Sequence, residues 1–208
     1  MIATRALEYA YDRSRTLSFP DINLEAQQDL LILGESGIGK TTLLHLMAGL
    51  LPIRTGRVLI NGTDISQLSS RAMDRFRGQH IGLVFQRPHF VQALTLEENL
   101  RLIQHLARRS ERGERIAKVL KSLALTDKAG RRTQQLSQGE QQRAAIALAV
   151  INQPALLLAD EPTASLDDKN CQRVVALLRE QAADTGAHLL IITHDQRLKS
   201  EFSRTLTL

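Results

Sequence analysis

The chain has 208 residues, of which 43% are apolar, so it is large enough to bury one substantial core. No apolar run approaches the roughly 18 residues needed to cross a bilayer, and we expect no membrane span. The single cysteine, Cys171, excludes an internal disulfide and a cysteine-built metal site. Residues 1–8 have no uninterrupted apolar core, which predicts no signal peptide and a cytoplasmic location.

The net charge of +5 is concentrated in one part of the chain. Residues 107–132 contain nine basic and three acidic side chains, so the rest of the chain is about neutral. We favour a solvated helical surface, while binding to nucleic acid, anionic lipid or an acidic partner stays an alternative. The basic residues are Arg108, Arg109, Arg112, Arg115, Lys118, Lys121, Lys128, Arg131 and Arg132.

Short alternating segments in the first third of the chain predict a small antiparallel β region. Residues 7–11 and 22–24 alternate between apolar and polar side chains, which is typical of strands. Residues 58–60 lead into Asn61-Gly62, a dipeptide that favours tight hairpin turns. These strands precede and follow a more specific motif.

That motif is a glycine-rich loop behind the apolar run 30–33. Residues 34–41 match G-x-x-x-x-G-K-S/T, and a helical pattern follows at 42–48. Glycines let consecutive N–H groups point inward as an anion nest at a helix start, although an ordinary strand-to-helix turn is the alternative. In such a loop Lys40 lies against the β- and γ-phosphates of a nucleoside triphosphate, and Thr41 binds the bridging Mg²⁺. The predicted phosphate-binding residues are Gly34, Glu35, Ser36, Gly37, Ile38, Gly39, Lys40, Thr41 and Thr42.

The remaining chain predicts buried parallel strands with helices between them. Continuous apolar runs at 81–85, 155–159 and 189–192 are typical of a sheet that is covered on both faces. Between Arg87 and Asn152 the apolar residues recur at helical spacing, and Thr95 begins a T-x-x-E capping box. The fold class is therefore α/β, with a helical lobe at approximately 87–152 inserted between two sheet strands of one domain.

Two adjacent carboxylates, Asp160 and Glu161, end the second of these buried runs. Ligands bind at the carboxyl ends of strands in open α/β sheets, and successive residues leaving a strand point in different directions. Asp160 can therefore hold Mg²⁺, while Glu161 faces the γ-phosphate and orients an attacking water. A helix or turn cap is the alternative for Asp160, which the phosphate loop makes less favourable.

A second polar motif, residues 136–143, reads Leu-Ser-Gln-Gly-Glu-Gln-Gln-Arg. Ser137 and Glu140 have capping-box spacing, and capping a helix at 141–151 would alone explain both. This motif lies shortly before the strand that ends in Asp160 and Glu161, and it closely resembles the signature of ATP-binding cassette (ABC) proteins. The resemblance covers essentially the whole chain, because the phosphate loop, Gln86, the signature and residues 160–163, 164–167 and 193–195 follow in the family's order.

The resemblance implies a role for each matching residue. Glu161, His194 and Lys40 would be catalytic, with His194 contacting the γ-phosphate. ATP and Mg²⁺ would be the cofactors, with Thr41, Gln86 and Asp160 at the metal. Gln86 would also report to the transmembrane partner. The aromatic residue that stacks on adenine matches Tyr11, with Tyr9 as the alternative. Ser137 and Gly139 would contact ATP bound to a second subunit. Asp167 would belong to the loop that crosses the interface of this dimer.

The same resemblance implies an ATPase subunit of a transporter whose permease is a separate polypeptide. The segment at 93–99 and the signature look most like the lipoprotein-releasing and macrolide-exporter group. Gln138, Gln27-Gln28 and Leu148 depart from common family patterns, and Gln138 could crowd the facing nucleotide. We therefore expect a homodimer without nucleic acid, held through the permease at the cytoplasmic face of the inner membrane. A cassette ATPase acting on nucleic acid or ribosomes is the alternative.

Overall fold

The computed structural model describes residues 1–11, 16–25, 28–109, 113–164 and 166–208, and the sequence features at Gln27, Arg112 and Ser165 lie outside this part. The strands are β1 Ile2–Ala10, β2 Thr16–Ser18, β3 Asn23–Leu24, β4 Leu30–Leu33, β5 Thr55–Ile60, β6 Thr63–Asp64, β7 Ile81–Val84, β8 Leu156–Asp160, β9 His188–Thr193 and β10 Thr205–Thr207. The α-helices are α1 Lys40–Met47, α2 Ser70–His80, α3 Leu96–Leu106, α4 Gly113–Ser122, α5 Gln138–Val150 and α6 Asp168–Thr185. Short 3₁₀ helices cover Ile65–Gln67, Thr126–Lys128, Thr133–Gln135 and Gln196–Glu201.

A parallel five-stranded sheet in the order β10-β4-β9-β8-β7 forms the centre of the fold. The interior of β4, β8 and β9 is apolar because both faces of these strands are covered. In β4, Leu31 and Leu33 belong to one core cluster, and Leu30 and Ile32 belong to the other. Because all five strands run the same way, their carboxyl ends meet at one edge, and the segments that follow β4, β7, β8 and β9 lie there together.

A second, antiparallel sheet contains β1, β2, β3, β5 and β6, as the alternating segments predict. Its long strand β1 has an irregularity in its register with β5 between Arg5 and Glu8. Gly56 lies opposite this irregularity with φ +82°, and a Cβ atom there would come within 2.3 Å of the Ala6 carbonyl oxygen. Only glycine allows this close approach of the two backbones. Strand β1 then leads the chain to Tyr11 at the edge of the parallel sheet.

The predicted helical segment at 87–152 contains α3, α4, α5 and two 3₁₀ helices in its described residues. Thr95 caps α3 through a complete capping box with Glu98. Helix α5 begins at Gln138, three residues before the predicted start at 141, and ends at Val150. The expected start was wrong because Ser137 is itself the N-cap, which places the first helical residue directly after it.

Several basic side chains in the segment 107–132 bind the chain's own backbone or carboxylates. Arg115 Nη2 donates to the Val150 carbonyl oxygen at 2.9 Å, at the end of α5, and Arg109 Nη2 donates to that of Gln79 at 3.2 Å. Lys128 pairs with Glu140 at 3.3 Å. These contacts give part of the positive charge a structural role within the helical segment. No helix in the described part of the chain is long and apolar enough to span a bilayer.

Candidate nucleotide-binding site

The glycine-rich loop connects β4 to α1 through two left-handed residues. Gly37 has φ +80° and Gly39 has φ +117°, conformations that residues with a Cβ atom rarely adopt. Gly39 is the N-cap of α1 and has no side chain to offer the first turn. The first N–H groups of a helix have no partner within it, so this start is suited to an anion.

Lys40 is the first residue of α1, and only 6% of it is exposed. Its Nζ donates to the carbonyl oxygens of Gly34 at 2.8 Å and Glu35 at 3.0 Å, and lies 3.6 Å from Glu161 Oε1. The carbonyl oxygens of the loop therefore hold the Lys40 ammonium group beside the start of α1. A buried cation beside the first N–H groups of a helix is a donor set that fits a polyphosphate.

Thr41 and Asp160 bring two oxygen ligands together from α1 and β8. The Thr41 hydroxyl donates to Asp160 Oδ2 at 3.3 Å. Burial, together with the adjacent charge of Glu161, raises the pKa of Asp160 above its ordinary value, although the Thr41 hydrogen bond opposes this shift. Mg²⁺ is usually held by one or two carboxylates plus substrate phosphates and water, and this pair fits that pattern.

Glu161 is fixed in an unusual backbone conformation directly after β8. Its φ is +47°, which is uncommon for a residue with a side chain, and its N–H donates to the Ile192 carbonyl oxygen at 2.9 Å. Its Oε2 accepts from Thr193 Oγ1 at 2.7 Å, and its Oε1 accepts from the His194 N–H at 3.1 Å and lies 3.0 Å from His194 Nδ1. Burial raises the pKa of Glu161, but these hydrogen bonds outweigh burial and lower it overall, so the side chain is ionised at neutral pH.

These groups surround one cavity of about 760 Å³, within the usual range for ligand pockets. Of the predicted site residues, Gly34 and Ile38 lie in the loop beside it without lining it. Leu17 of β2 lines the cavity and was missed by sequence reasoning, because nothing marks one leucine in a three-residue strand. The described lining residues are Tyr11, Leu17, Glu35, Ser36, Gly37, Gly39, Lys40, Thr41, Thr42, Gln86, Asp160, Glu161 and His194.

The two candidate adenine-stacking residues have different positions. Tyr11 lines the cavity, is 62% exposed, and makes a 2.8 Å hydrogen bond between its hydroxyl and Thr42 Oγ1. The Tyr9 ring lies 4.8 Å from the Tyr11 ring, edge to face, and packs against the core beneath the antiparallel sheet. Tyr11 is therefore the ring available to a ligand in this cavity, with Tyr9 behind it.

Ser137 and Gly139 do not line this cavity. Ser137 caps α5, because its Oγ accepts from the Glu140 N–H and Glu140 Oε2 accepts from the Ser137 N–H at 2.7 Å. These bonds, together with Lys128, lower the pKa of Glu140 to about 2. Ser137 and Gly139 are both exposed, so the capped start of α5 lies at the surface.

Comparison with known proteins identifies the arrangement. The family model described as ABC transporter matches residues 17–164. The chain belongs to the ABC transporter family. It is 36% identical to the lipoprotein-releasing system ATP-binding protein LolD of Shewanella frigidimarina and 38% identical to that of Shewanella oneidensis. Each match covers 94% of this chain, and 82% and 86% of the respective relatives.

Solved structures of ABC cassettes have the same fold. The chain matches the dimeric structure of MJ0796, a bacterial ABC transporter cassette, with a TM-score of 0.86 and 30% identity over 100% of this chain and 94% of that one. A post-hydrolysis MJ0796 dimer bound to ADP and Pi gives the same TM-score at 29% identity and the same coverage. CbiO1 of Clostridium perfringens, part of the transporter complex cbiONQ, gives 0.80 at 27% identity over 93% and 78% of the two chains. The predicted fold class is confirmed, and the chain is the nucleotide-binding ATPase subunit of an ABC transporter.

Proposed function

We propose that this ABC ATPase binds Mg²⁺-ATP in the cavity at the edge of the parallel sheet and dimerises on it. The observation that carries this proposal is that three separate segments meet at one cavity beside the glycine-rich loop. They contribute Lys40, the adjacent pair Asp160 and Glu161, and His194. The loop N–H groups and Lys40 bind the phosphates, and Tyr11 stacks on the adenine. Thr41, Asp160 and Gln86 hold Mg²⁺, which neutralises phosphate charge when bound.

Glu161 orients the attacking water, and His194 contacts the γ-phosphate. The lowered pKa of Glu161 keeps it ionised and ready to accept a hydrogen bond from water. Because Thr193 and His194 already bind both carboxylate oxygens, the side chain has little freedom before substrate arrives. Such preorganisation supports positioning of the nucleophile, which is the main task in phosphoryl transfer.

The exposed start of α5 supports the proposed dimer. Ser137 and Gly139 lie outside the cavity of their own chain, so they are free to meet the γ-phosphate of nucleotide held by a second copy. The dimeric form of MJ0796 is consistent with this arrangement. ATP then joins the two copies, and departure of the cleaved γ-phosphate after hydrolysis removes the charge that holds them together.

A complementation experiment tests whether each nucleotide site is formed by the phosphate loop of one copy and Ser137 of the other. Lys40→Ala removes the ammonium group from the phosphate loop of one copy, and Ser137→Arg blocks the start of α5 in the other. Neither variant forms an ATP-dependent dimer with itself, but a mixture retains one complete site from the intact Lys40 and the intact Ser137. We expect association of tagged and untagged copies with ATP and Mg²⁺ only in the mixture, with the Lys40→Ala/Ser137→Arg double variant as control. Equal association of every combination would contradict a nucleotide site that is shared between two copies.

We further propose that a separate permease holds this subunit at the cytoplasmic face of the inner membrane, in a lipoprotein-release or export system. The likeness to LolD supports this assignment. An apolar groove of about 370 Å³ beside Phe85, immediately before Gln86, supports the position of the contact. Leu106 and Leu148 line this groove, and Leu106 is 66% exposed.

Cell fractionation tests this contact. Leu106→Asp places a charge in the groove without disturbing the core, and we expect the chain to leave the membrane fraction while ATP binding is kept. Leu50→Asp is the matched control, because Leu50 is 42% exposed and lies outside the groove. Equal membrane association of the two variants would exclude the groove as the permease contact.

A further inference from the structure

Arg197, in the 3₁₀ helix after β9, binds three residues from two segments of the chain. Its Nε and Nη2 donate to Asp195 Oδ1 and Oδ2 at 2.9 and 2.7 Å, a bidentate arrangement. Its Nη2 also donates to the Leu166 carbonyl oxygen at 3.2 Å, and its Nη1 binds Asp168 at the start of α6. One guanidinium group therefore joins Asp195, which follows His194 in the sequence, to the two residues that flank Asp167.

From Asp195, hydrogen bonds continue to the proposed catalytic carboxylate. The Asp195 N–H donates to Thr193 Oγ1 at 3.0 Å, and the Thr193 hydroxyl donates to Glu161 Oε2 at 2.7 Å. Asp195 Oδ2 also accepts from Thr163 Oγ1 at 3.3 Å, two residues after Glu161. Arg197 is thus linked to Glu161 through the side chain and the backbone N–H of Asp195 and the hydroxyl group of Thr193.

The other end of this network reaches the segment that is expected to cross the dimer. Asp167 is the N-cap of α6, where its Oδ1 accepts from the Asn170 N–H at 2.8 Å. Arg197 donates hydrogen bonds to both neighbours of Asp167, Leu166 and Asp168. Movement of Asp167 against a second subunit would therefore pull on Arg197.

We propose that Arg197 is a positioning residue that couples the Asp167 segment to the Glu161 carboxylate. The proposal rests on the hydrolytic role given to Glu161 above. When the second subunit presses on Asp167, the Arg197 bonds set the positions of Asp195 and Thr193 and hence the direction of Glu161. Hydrolysis is then efficient only in the closed dimer.

An ordinary surface ion pair is the simpler interpretation of Arg197. Exposed pairs are flexible and stabilise proteins little. The Asp195 side chain, by contrast, is only 12% exposed. Its bidentate contact with Arg197 fixes the orientation of the carboxylate as well as pairing its charge. The Arg197 hydrogen bonds, opposed by burial, lower the pKa of Asp195 to about 2, so this partner stays ionised at every pH of functional interest.

Steady-state hydrolysis by the full chain tests the proposal. For Arg197→Ala we expect kcat to fall about tenfold, a loss of about 1.4 kcal/mol in transition-state stabilisation, with the KM for ATP within about twofold. Arg197→Lys keeps the charge but loses the bidentate hydrogen bonding of the guanidinium group, so its kcat should lie between those of the wild type and Arg197→Ala. Lys199→Ala is the matched control, because Lys199 is an exposed cation on the same 3₁₀ helix and should leave kcat unchanged.

A double-mutant cycle with Asp168 distinguishes loss of the Arg197–Asp168 contact from unfolding of the Arg197→Ala variant. The Asp168 side chain is 84% exposed, so Asp168→Ala should fold normally. If Arg197 acts through this contact, Asp168→Ala also lowers kcat, and the double variant is no slower than Arg197→Ala. Wild-type kcat in Arg197→Ala, or fully additive losses in the double variant, would overturn the proposal. If Glu161→Gln keeps full hydrolysis, the proposed role of Glu161 fails instead.

Discussion

Replacing Glu161 by glutamine is the most direct perturbation of the proposed chemistry. The amide keeps the shape of the side chain and one carbonyl oxygen, which can still accept from Thr193 at the position of Oε2. The NH₂ group then replaces Oε1, which accepts from the His194 N–H and lies 3.6 Å from Lys40 Nζ. The substitution therefore removes the negative charge and the acceptor for water with little change in volume.

The size of the effect follows from how the carboxylate is held. Positioned acid–base groups contribute about 10²–10⁴-fold to rates. The hydrogen bonds that lower the pKa of Glu161 also make it a weaker base, so we expect the lower part of this range. In Glu161→Gln, kcat should fall about 100–1000-fold, equivalent to about 3–4 kcal/mol. ATP affinity should be kept, because the phosphate cradle is intact.

Phosphate release and size-exclusion chromatography with ATP and Mg²⁺ measure the two consequences. We expect slow hydrolysis and accumulation of the ATP-bound dimer. Glu180→Gln is the control, because Glu180 is an exposed carboxylate on α6 and its loss changes net charge equally. A Glu161→Gln variant that hydrolyses ATP at the wild-type rate, or stays monomeric with ATP, would refute the reasoning.

Three further substitutions have distinct expected results. Lys40→Ala should weaken ATP binding about 10–100-fold in calorimetry, because a charge-assisted phosphate contact contributes about 1.5–3 kcal/mol, and unchanged affinity would contradict its role. Tyr11→Ala should weaken ATP binding about tenfold through lost stacking, whereas Tyr9→Ala should mainly lower Tm, and the reverse pattern would identify Tyr9 as the stacking residue. Asp160→Asn should raise the Tm of the nucleotide-free chain at pH 7 while hydrolysis is lost. Because the raised folded pKa makes the ionised form unfavourable, this gain should disappear as pH falls below 3.8, and a lower Tm at pH 7 would contradict the burial argument.

Much of the parallel sheet was predictable because its strands are buried on both faces. Such strands are apolar at every position, so the runs at 81–85, 155–159 and 189–192 are visible in the sequence. The strand order was not predictable, since β4 pairs with β9, more than 150 residues later along the chain. Strand β10, with three residues and two threonines at Thr205 and Thr207, has too short a pattern to mark an edge strand.

For the candidate site, sequence motifs predicted residue types better than contacts. The phosphate loop is visible because its spacing is local, and its glycines adopt the left-handed conformations that the motif requires. The bonds from Thr193 and His194 to Glu161 join residues 32 and 33 positions apart, and only the adjacent, parallel arrangement of β8 and β9 creates them. Sequence spacing carries no information about such contacts.

The conformation of Glu161 shows how the fold supports the site before nucleotide binds. A positive φ at a residue with a side chain is unfavourable by about 1 kcal/mol or more, so surrounding contacts must maintain it. The Ile192 carbonyl oxygen binds its N–H, and Thr193 and His194 bind its carboxylate. All three partners belong to β9 and the residue after it, so the strand that neighbours both β4 and β8 determines where the carboxylate points. The direction of Glu161 is therefore coupled to the centre of the sheet. Ser137 is carried by the helical segment instead, so in the proposed dimer its position relative to a phosphate depends on how the second subunit docks.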